Sequence, residues 1–251
     1  MKSVRSMLLA GLLGCAASTA LAQAAPAASA SAPAAAPAPV MSGEMVRAAQ
    51  LDYAARVKDY IKNGESPNAV DEHGMPLIVY AAKYKADSVV AALAENPDTD
   101  LDALDPAGEN ALMMAAINMD QPMVQLLIDK EAEINKKGWT PLHYAASGGD
   151  DAIVKLLLDH SAYIDAGSPN GSTPLMMAAA AGHITTVKLL LDEGADLSIK
   201  NQLGLNAVDI AKRYKQSDIA DGLSKRLANM GAGKPAGGTN AAPATGASAA
   251  P

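Results

Sequence analysis

The sequence of 251 residues contains no phenylalanine, one tryptophan and one cysteine, and aromatic residues make up 3% of it. A folded core must therefore be built from Leu, Ile, Val, Ala and Met. The one cysteine is Cys15, close to the N-terminus. The rest of the chain is thus excluded from disulfide formation, thiol catalysis and cysteine-ligated metal binding.

Long apolar runs are scarce as well, and the clearest one lies near the N-terminus. Residues 1–22 are predicted to be a signal peptide, because Lys2 and Arg5 precede an apolar stretch and Ala20–Ala22 fits the small-x-small rule for cleavage before Gln23. No stretch of the chain approaches the roughly 20 apolar residues of a transmembrane helix. We therefore expect an exported protein, periplasmic or secreted, with no membrane span.

Cys15 allows a second interpretation of the N-terminal segment. The run Leu12–Cys15 resembles the lipobox of bacterial lipoproteins, and lipidation of Cys15 would anchor the protein to a membrane. The leucine before Gly14 is unusual for a lipobox, whereas Ala20–Ala22 is a good cleavage site for a soluble product. Soluble export is the preferred expectation, and a membrane-anchored lipoprotein is the alternative.

Two flanks differ in composition from the middle of the chain. Residues 23–40 are almost wholly Ala, Pro and Ser, and residues 231–251 are mainly Gly, Ala, Pro, Thr and Ser. Such segments have too little apolar bulk to offset the entropy of ordering, so a disordered linker and a disordered tail are predicted. The folded domain is expected to span residues 41–230.

The predicted domain is acidic. Residues 41–230 contain all 27 Asp and Glu but 17 of the 20 Lys and Arg, which gives a formal net charge of −10. Nucleic acid is therefore excluded as an expected partner, because affinity for phosphates rests on clustered Lys and Arg. An acidic, soluble surface is the simpler interpretation, and a basic protein partner is the alternative.

One block of sequence occurs twice in the middle of the chain. Residues 138–146 read GWTPLHYAA and residues 171–179 read GSTPLMMAA, and each copy leads into a segment rich in Ile, Val and Leu. The offset of 33 residues is typical of solenoids, in which no unit can bury its apolar face without its neighbours. The function must then be sought on the surface of a stack.

Each copy predicts a helix, a turn and a second helix. Thr140 and Thr173 are candidate N-caps followed by proline, and Gly149 and Gly182 suit the left-handed turn that ends the first helix. Helical spacing predicts that the second helix buries one apolar face before a stop at Gly194. The residues expected on that face are Ile184, Val187, Leu190 and Leu191, with Leu157 as a counterpart in the first copy.

These motifs resemble the ankyrin repeat, whose pattern runs Gly-x-Thr-Pro-Leu-His-x-Ala-Ala, then Gly-His, a Val/Leu-rich helix and Gly-Ala-Asp. Gly182-His183 and Gly194–Asp196 also match. Degenerate copies begin at Gly74, Gly108 and Gly204, and Ala48-Ala49 marks a fragmentary first one. The resemblance implies an all-α solenoid of about six helix-turn-helix units with short β-hairpin fingers. Such folds bind proteins and are rarely catalytic.

The residues that could support chemistry are few. The chain has four histidines, no two at a metal-ligand spacing, and no sequence motif of a hydrolase. Two of them occupy positions where the family pattern has histidine, so hydrogen bonds within and between repeats are predicted for them. No enzyme, cofactor or metal is expected. The four are His73, His143, His160 and His183.

Methionine pairs replace family residues in two first helices. Filling of the core is the simpler interpretation, and an adaptable, oxidisable sulfur-lined surface is the alternative. The pairs are Met113-Met114 and Met176-Met177.

The repeat is broken at one finger. The segment from Ile134 to Gly138 advances four positions, whereas the equivalent segments Leu101–Gly108, Ile164–Gly171 and Leu197–Gly204 advance seven. Lys136, Lys137 and Trp139 stand beside the shortened finger. If this notch is an interface, Trp139 is its aromatic anchor; if the short loop is drift, Trp139 covers the end of a neighbouring helix. Flanking residues expected on the same surface are Glu109, Ile117, Asn118, Ser172 and Leu205.

Together these features predict a non-catalytic, protein-binding module in the periplasm, which holds a partner on its concave face and fingers. The alternative is an accessory or chaperone-like factor that stabilises an exported enzyme, with oxidant defence as one setting. The identity of the partner does not follow from the fold.

Overall fold

The computed structural model describes residues 38–232. The predicted signal peptide, Cys15, nearly all of the predicted linker and most of the predicted tail lie outside these residues. The described chain forms twelve helices in six consecutive pairs. The first helices of the pairs are α1 (Gly43–Gln50), α3 (Leu77–Lys83), α5 (Ala111–Ile117), α7 (Pro141–Gly148), α9 (Pro174–Ala181) and α11 (Ala207–Arg213). The second helices are α2 (Ala54–Lys62), α4 (Asp87–Ala94), α6 (Gln121–Asp129), α8 (Asp151–Asp159), α10 (Ile184–Asp192) and α12 (Ser217–Ala232).

The first helices begin and end as the sequence predicts. In α9 the Thr173 hydroxyl accepts from the Met176 N–H at 3.4 Å, and Pro174 opens the helix, where a missing N–H costs nothing. Gly149 and Gly182 end α7 and α9 with φ of 78° and 88°, in the left-handed region that glycine tolerates. The predicted helix ends are confirmed.

Alanine pairs let the first helices approach one another. Ala145 and Ala146 on α7, like Ala178 and Ala179 on α9, have no accessible surface. Successive first helices are packed more closely than successive second helices. The first helices therefore form the more closely packed side of the stack.

The loops that follow the second helices are tied to one another by side chains. In each tie an Asn or Asp oxygen accepts the backbone N–H of a residue in the next repeat, so adjacent units are linked by polar as well as apolar contacts. The ties are Asn68 to Asp100 (2.8 Å), Asp102 to Glu133 (2.7 Å), Asn135 to Tyr163 (2.8 Å) and Asp165 to Asp196 (3.0 Å).

The fingers are tight turns rather than β-hairpins with strands. In the finger before α5, the Asp105 N–H donates to the Glu109 carbonyl at 2.9 Å, and the Asp105 carboxylate accepts from the Ala107 and Glu109 N–H groups. The chain enters the helix before a ladder can extend. Within residues 38–232, extended backbone pairs only as isolated bridges, between Val40 and Val70 and between Val70 and Pro76.

The predicted core is confirmed with one exception. Leu157, Leu190 and the four paired methionines are buried, so the methionines fill the core and do not form a sulfur-lined surface. Ile184 was expected on the buried face but is 43% exposed. It is the first residue of α10, and its side chain lines a surface groove between α10 and α12. Helix α12 ends at Ala232, two residues inside the segment predicted to be the tail.

Candidate functional site

Trp139 lies on the first-helix side of the fourth repeat, at the centre of the stack. The indole is half-buried and packs edge-to-face against two rings of α7, with centroids 5.3 Å from His143 and 6.2 Å from Tyr144. Two ring contacts fix its orientation. Trp139 thus packs against the first helix of its own repeat. The recess beneath it is lined by Trp139, His143, Tyr144, Ser147 and Met177.

A polar pair joins the third and fourth repeats at this recess. The Tyr144 hydroxyl donates to Oε1 of Glu109 at 2.5 Å. Burial raises the pKa of the Glu109 carboxyl; the Tyr144 hydrogen bond and Lys83 oppose the rise, whereas Asp105 adds to it. Burial, followed by the bond to Glu109, also raises the pKa of Tyr144 above its usual range. Tyr144 is therefore a donor at all physiological pH values.

His143 has a structural role. Its Nδ1 accepts the Thr140 backbone N–H at 3.2 Å and bonds the Thr140 hydroxyl at 2.9 Å, so Nε2 carries the proton and donates to the Ser172 carbonyl at 2.9 Å. Burial lowers the pKa of His143 from 6.5 to about 4, against the opposing effect of its backbone hydrogen bonds. His183 likewise bonds the Ser147 carbonyl of the preceding repeat at 3.0 Å. Hydrogen bonding within and between repeats is confirmed for this pair.

The shortened finger lacks the hydrogen-bonded turn of the other fingers, and the Lys136 side chain holds it in place instead. Lys136 extends to the neighbouring finger, where its Nζ donates to the Gly108 carbonyl at 2.8 Å. Lys137 is exposed and has no hydrogen bond or ion pair within the described structure. The two lysines therefore differ: the first fastens the fourth repeat to the third, and the second is free to contact solvent or a partner.

The flanking residues proposed for this surface have different environments. Glu109 reaches Trp139 through Tyr144, and Ile117, Asn118 and Leu205 are half-buried. The Asn118 amide is occupied, since it donates to the Ala82 carbonyl at 3.0 Å.

Ser172 was expected on the surface and is instead buried, with 1% of its area exposed. Its N–H donates to the Ser168 hydroxyl at 3.0 Å within the finger, and its carbonyl accepts from His143. The position after the finger glycine is half-buried in the third and fourth repeats, at Glu109 and Trp139, but fully buried in the fifth. Ser172 is therefore removed from the candidate surface.

Sequence reasoning missed Tyr144, Ser147 and Met177 as residues that line the recess. A signal for Tyr144 was present, because it stands at one of the three positions where the two copies of the repeated block differ. The contact of Tyr144 with Glu109, 35 residues earlier, had no such signal.

Neither a metal centre nor a spanning segment is found in the described part of the chain. No cluster of three or more His, Cys, Asp or Glu in residues 38–232 could hold a metal ion. In the same residues, no helix combines the length and the apolar character needed to cross a membrane. The candidate site is consequently a surface of hydrogen-bonding, aromatic and apolar groups.

Stacked helix pairs with an aromatic recess on the side of the first helices define a helical-repeat solenoid with the architecture of a binding protein. The chain belongs to the ankyrin-repeat family. The family profile described as ankyrin repeats (3 copies) matches four overlapping segments, residues 45–137, 78–168, 130–201 and 153–232.

Several curated proteins resemble the chain. The B-cell lymphoma 3 protein homolog of Mus musculus is 30% identical over 180 residues, which cover 69% of this chain and 40% of that protein. The ankyrin repeat and SAM domain-containing protein 6 of Rattus norvegicus is 33% identical over 109 residues, 42% of this chain and 12% of that protein. The chain thus spans less than half the length of these relatives.

Two solved structures are similar in fold. One contains a predatory endopeptidase from Bdellovibrio bacteriovorus in complex with an immunity protein; the matching chain has a TM-score of 0.65 and 29% identity, and the match covers 74% of this protein and 98% of that chain. The other is the ankyrin-repeat domain of Bcl-3, with a TM-score of 0.61 and 29% identity over 70% of this protein and 81% of that chain. Both support the ankyrin-repeat solenoid fold.

Proposed function

We propose that this protein is an exported, non-catalytic binding module that holds a protein partner on its concave face and fingers without a cofactor. The observation that carries the proposal is the recess under Trp139. A half-buried indole that is fixed by two rings, one of which bonds a half-buried carboxylate, has the features of an interface hot spot. The acidic domain disfavours nucleic acid, so a protein is the expected partner.

The surface divides into an anchor and a rim. Trp139 supplies apolar area at the centre, whereas Lys137 stands exposed beside the shortened finger, where charge steers association more than it adds affinity. Lys136 contributes indirectly, because its bond to Gly108 holds the fingers of the third and fourth repeats together.

A second candidate is an accessory factor that binds and controls an exported enzyme. The similar bacterial structure, in which an endopeptidase is in complex with an immunity protein, favours this version. The variant in which exposed methionines act in oxidant defence loses its basis, because the paired methionines are buried. A partner with enzymatic activity that changes on binding would select this candidate.

The experiment is affinity capture from a periplasmic extract, followed by calorimetry with the captured partner and the purified proteins. Trp139→Ala is expected to weaken binding by at least about 1.5 kcal/mol, roughly tenfold. Ile184→Ala is the matched control, since it truncates an exposed apolar residue on a second helix. Circular dichroism checks that both variants fold. Equal affinity of the two variants would remove the recess as the binding surface.

Export is tested separately by intact-mass analysis of the mature protein. The proposal expects an N-terminus at Gln23 and recovery in the soluble periplasmic fraction. A diacylated Cys15 with recovery in membranes would instead establish the lipoprotein alternative.

A further inference from the structure

The carboxylate of Glu109 is only half satisfied by the protein. Oε1 accepts the Tyr144 hydroxyl at 2.5 Å, but Oε2 has no hydrogen bond within the described residues. Glu109 is nevertheless half-buried, and it bonds to Tyr144, which lines the recess under Trp139. A partly desolvated carboxylate with a free oxygen gains more from an added charge-assisted hydrogen bond than a fully hydrated one does.

The charged groups around Glu109 do not supply the hydrogen bond that Oε2 lacks. Asp105 and Lys83 are the charged groups whose fields act on its carboxyl, and their effects on it oppose each other. Lys136, at the shortened finger, is occupied by the Gly108 carbonyl. The domain around the recess has a net charge of −10. A positive group from outside is the complement of this site.

Two aromatic side chains are linked to the Glu109 carboxylate. Tyr144 contacts both Glu109, through its hydroxyl, and Trp139, through its ring at a 6.2 Å centroid distance. Tryptophan attracts cations to its face more strongly than the other aromatic residues do. A planar guanidinium can stack on an indole and donate to a carboxylate at the same time, whereas an ammonium group cannot stack.

We propose that Glu109 and Trp139, which Tyr144 links, bind an arginine side chain of the partner protein, whose guanidinium donates to Oε2 of Glu109 and stacks against the indole of Trp139. The inference rests on the proposed function, since it names the chemistry of the partner at the same surface. Tyr144 occupies Oε1 of Glu109 and so leaves Oε2 for the incoming group.

The first test uses Trp139 as its own reporter, because it is the one tryptophan in the chain. The folded protein is titrated with the peptide Ac-Ala-Arg-Ala-NH2 and with the same peptide containing citrulline, a neutral near-isostere of arginine. A saturable change in fluorescence with arginine, at least fivefold weaker with citrulline, is expected. Equal responses to the two peptides would overturn the inference.

The second test changes the carboxylate. Glu109→Gln removes the charge but keeps an oxygen that can accept the Tyr144 hydroxyl, and it is expected to weaken arginine-peptide binding at least fivefold. Glu193→Gln, which removes the same charge at the exposed C-cap of α10, is expected to leave binding unchanged. A parallel loss in both variants would mean that general charge, not this recess, binds the peptide.

The captured partner separates this inference from the proposed function. If Trp139→Ala weakens the partner but Glu109→Gln does not, the arginine contact is refuted while the binding module stands. If neither variant affects capture and the arginine peptide still binds selectively, the recess is an arginine site and the proposed partner surface is refuted.

Discussion

The fourth and fifth repeats begin with nearly the same residues but close their cores in different ways. The fifth repeat places Met176 and Met177 on α9, and both are buried as apolar filler. The fourth places His143 and Tyr144 at the equivalent positions of α7, where both are buried and hydrogen-bonded. The same backbone thus accommodates apolar side chains in one repeat and hydrogen-bonded polar side chains in the other.

The two repeats differ in the contacts that these two positions make with neighbouring repeats. Methionine at these positions contributes packing alone, whereas His143 bonds forward to Ser172 and Tyr144 bonds backward to Glu109. The fourth repeat is therefore linked by directional bonds to both of its neighbours. It also has the shortened finger and Trp139. Specific polar contacts and the candidate site coincide in the repeat that follows the shortened finger.

Core truncation is expected to have the largest effect. Leu157→Ala in the fourth repeat and Leu190→Ala in the fifth should each lower the free energy of unfolding by about 2 to 5 kcal/mol, because both leucines are fully buried and leave cavities. Since coupling in a stack passes between neighbours, Leu157→Ala should also broaden or split the urea transition. Ile184→Ala is the exposed control, with a loss within about 0.5 kcal/mol. Losses below that value at both leucines would contradict the burial assigned to them.

Protonation of His143 should make the fourth repeat sensitive to acid. Burial lowers its pKa from 6.5 to about 4, so the unfolded chain binds the proton more tightly than the folded one in this interval. The stability that neutral His143 provides is present above pH 6.5 and is lost as the pH falls to about 4, by roughly 3 kcal/mol. Denaturant melts across this range measure the slope.

The control for this slope comes from the neighbouring repeats. His143→Met introduces the residue found at Met113 and Met176, both buried. The variant is expected to show a shallower dependence of stability on pH between 6.5 and 4, whatever its stability at neutral pH. An unchanged slope would assign the acid sensitivity to other groups.

Gly149 and Gly182, which end α7 and α9, form a matched pair at which substitution should have an intermediate effect on stability. Both have positive φ, so alanine is strained at either by roughly 1 to 2 kcal/mol. A Cβ at Gly149 would lie 2.3 Å from the ring of His183, whereas at Gly182 it would meet the flexible end of Gln216 at 2.8 Å. Gly149→Ala should therefore cost about 1 to 3 kcal/mol more than Gly182→Ala, because the ring must leave the Ser147 carbonyl. Thermal melts of the two variants compare these costs directly, and equal costs would show that the His183 ring relaxes freely.

The smallest expected difference separates the two adjacent lysines. Lys136→Met should lower stability by about 0.5 to 1.5 kcal/mol, because its bond to the Gly108 carbonyl is lost. Lys137→Met should stay within about 0.5 kcal/mol, since Lys137 is exposed. Chemical denaturation decides the matter, and equal effects would mean that the shortened finger needs no fastening.

Much of this architecture could be predicted from the chain. The period of 33 residues, the glycine stops and the buried Leu157 and Leu190 follow from local rules that the structure obeys. The error at Ile184 has a local cause as well: the first residue of a helix lies where the chain enters, so helical spacing is a poor guide to its burial.

The candidate site was predicted in part. The shortened finger and Trp139 are visible in the sequence because a repeat makes any departure from it countable. Ser172 was misplaced because its exposure depends on a finger that folds over it and on a histidine 29 residues away. Such contacts join residues from different repeats and leave no trace in the pattern of either one.

The sequence by itself determined the repeat, its helices and the shortened finger, because each depends on residues within one turn or one period. Only the tertiary structure decided that Lys136 fastens the break to Gly108 and that Tyr144 joins Glu109 to Trp139. The physical reason is that a side chain finds its partner by the distance between stacked units. That distance is set by how closely the alanine-lined first helices pack, which is a property of the stack and not of any one segment.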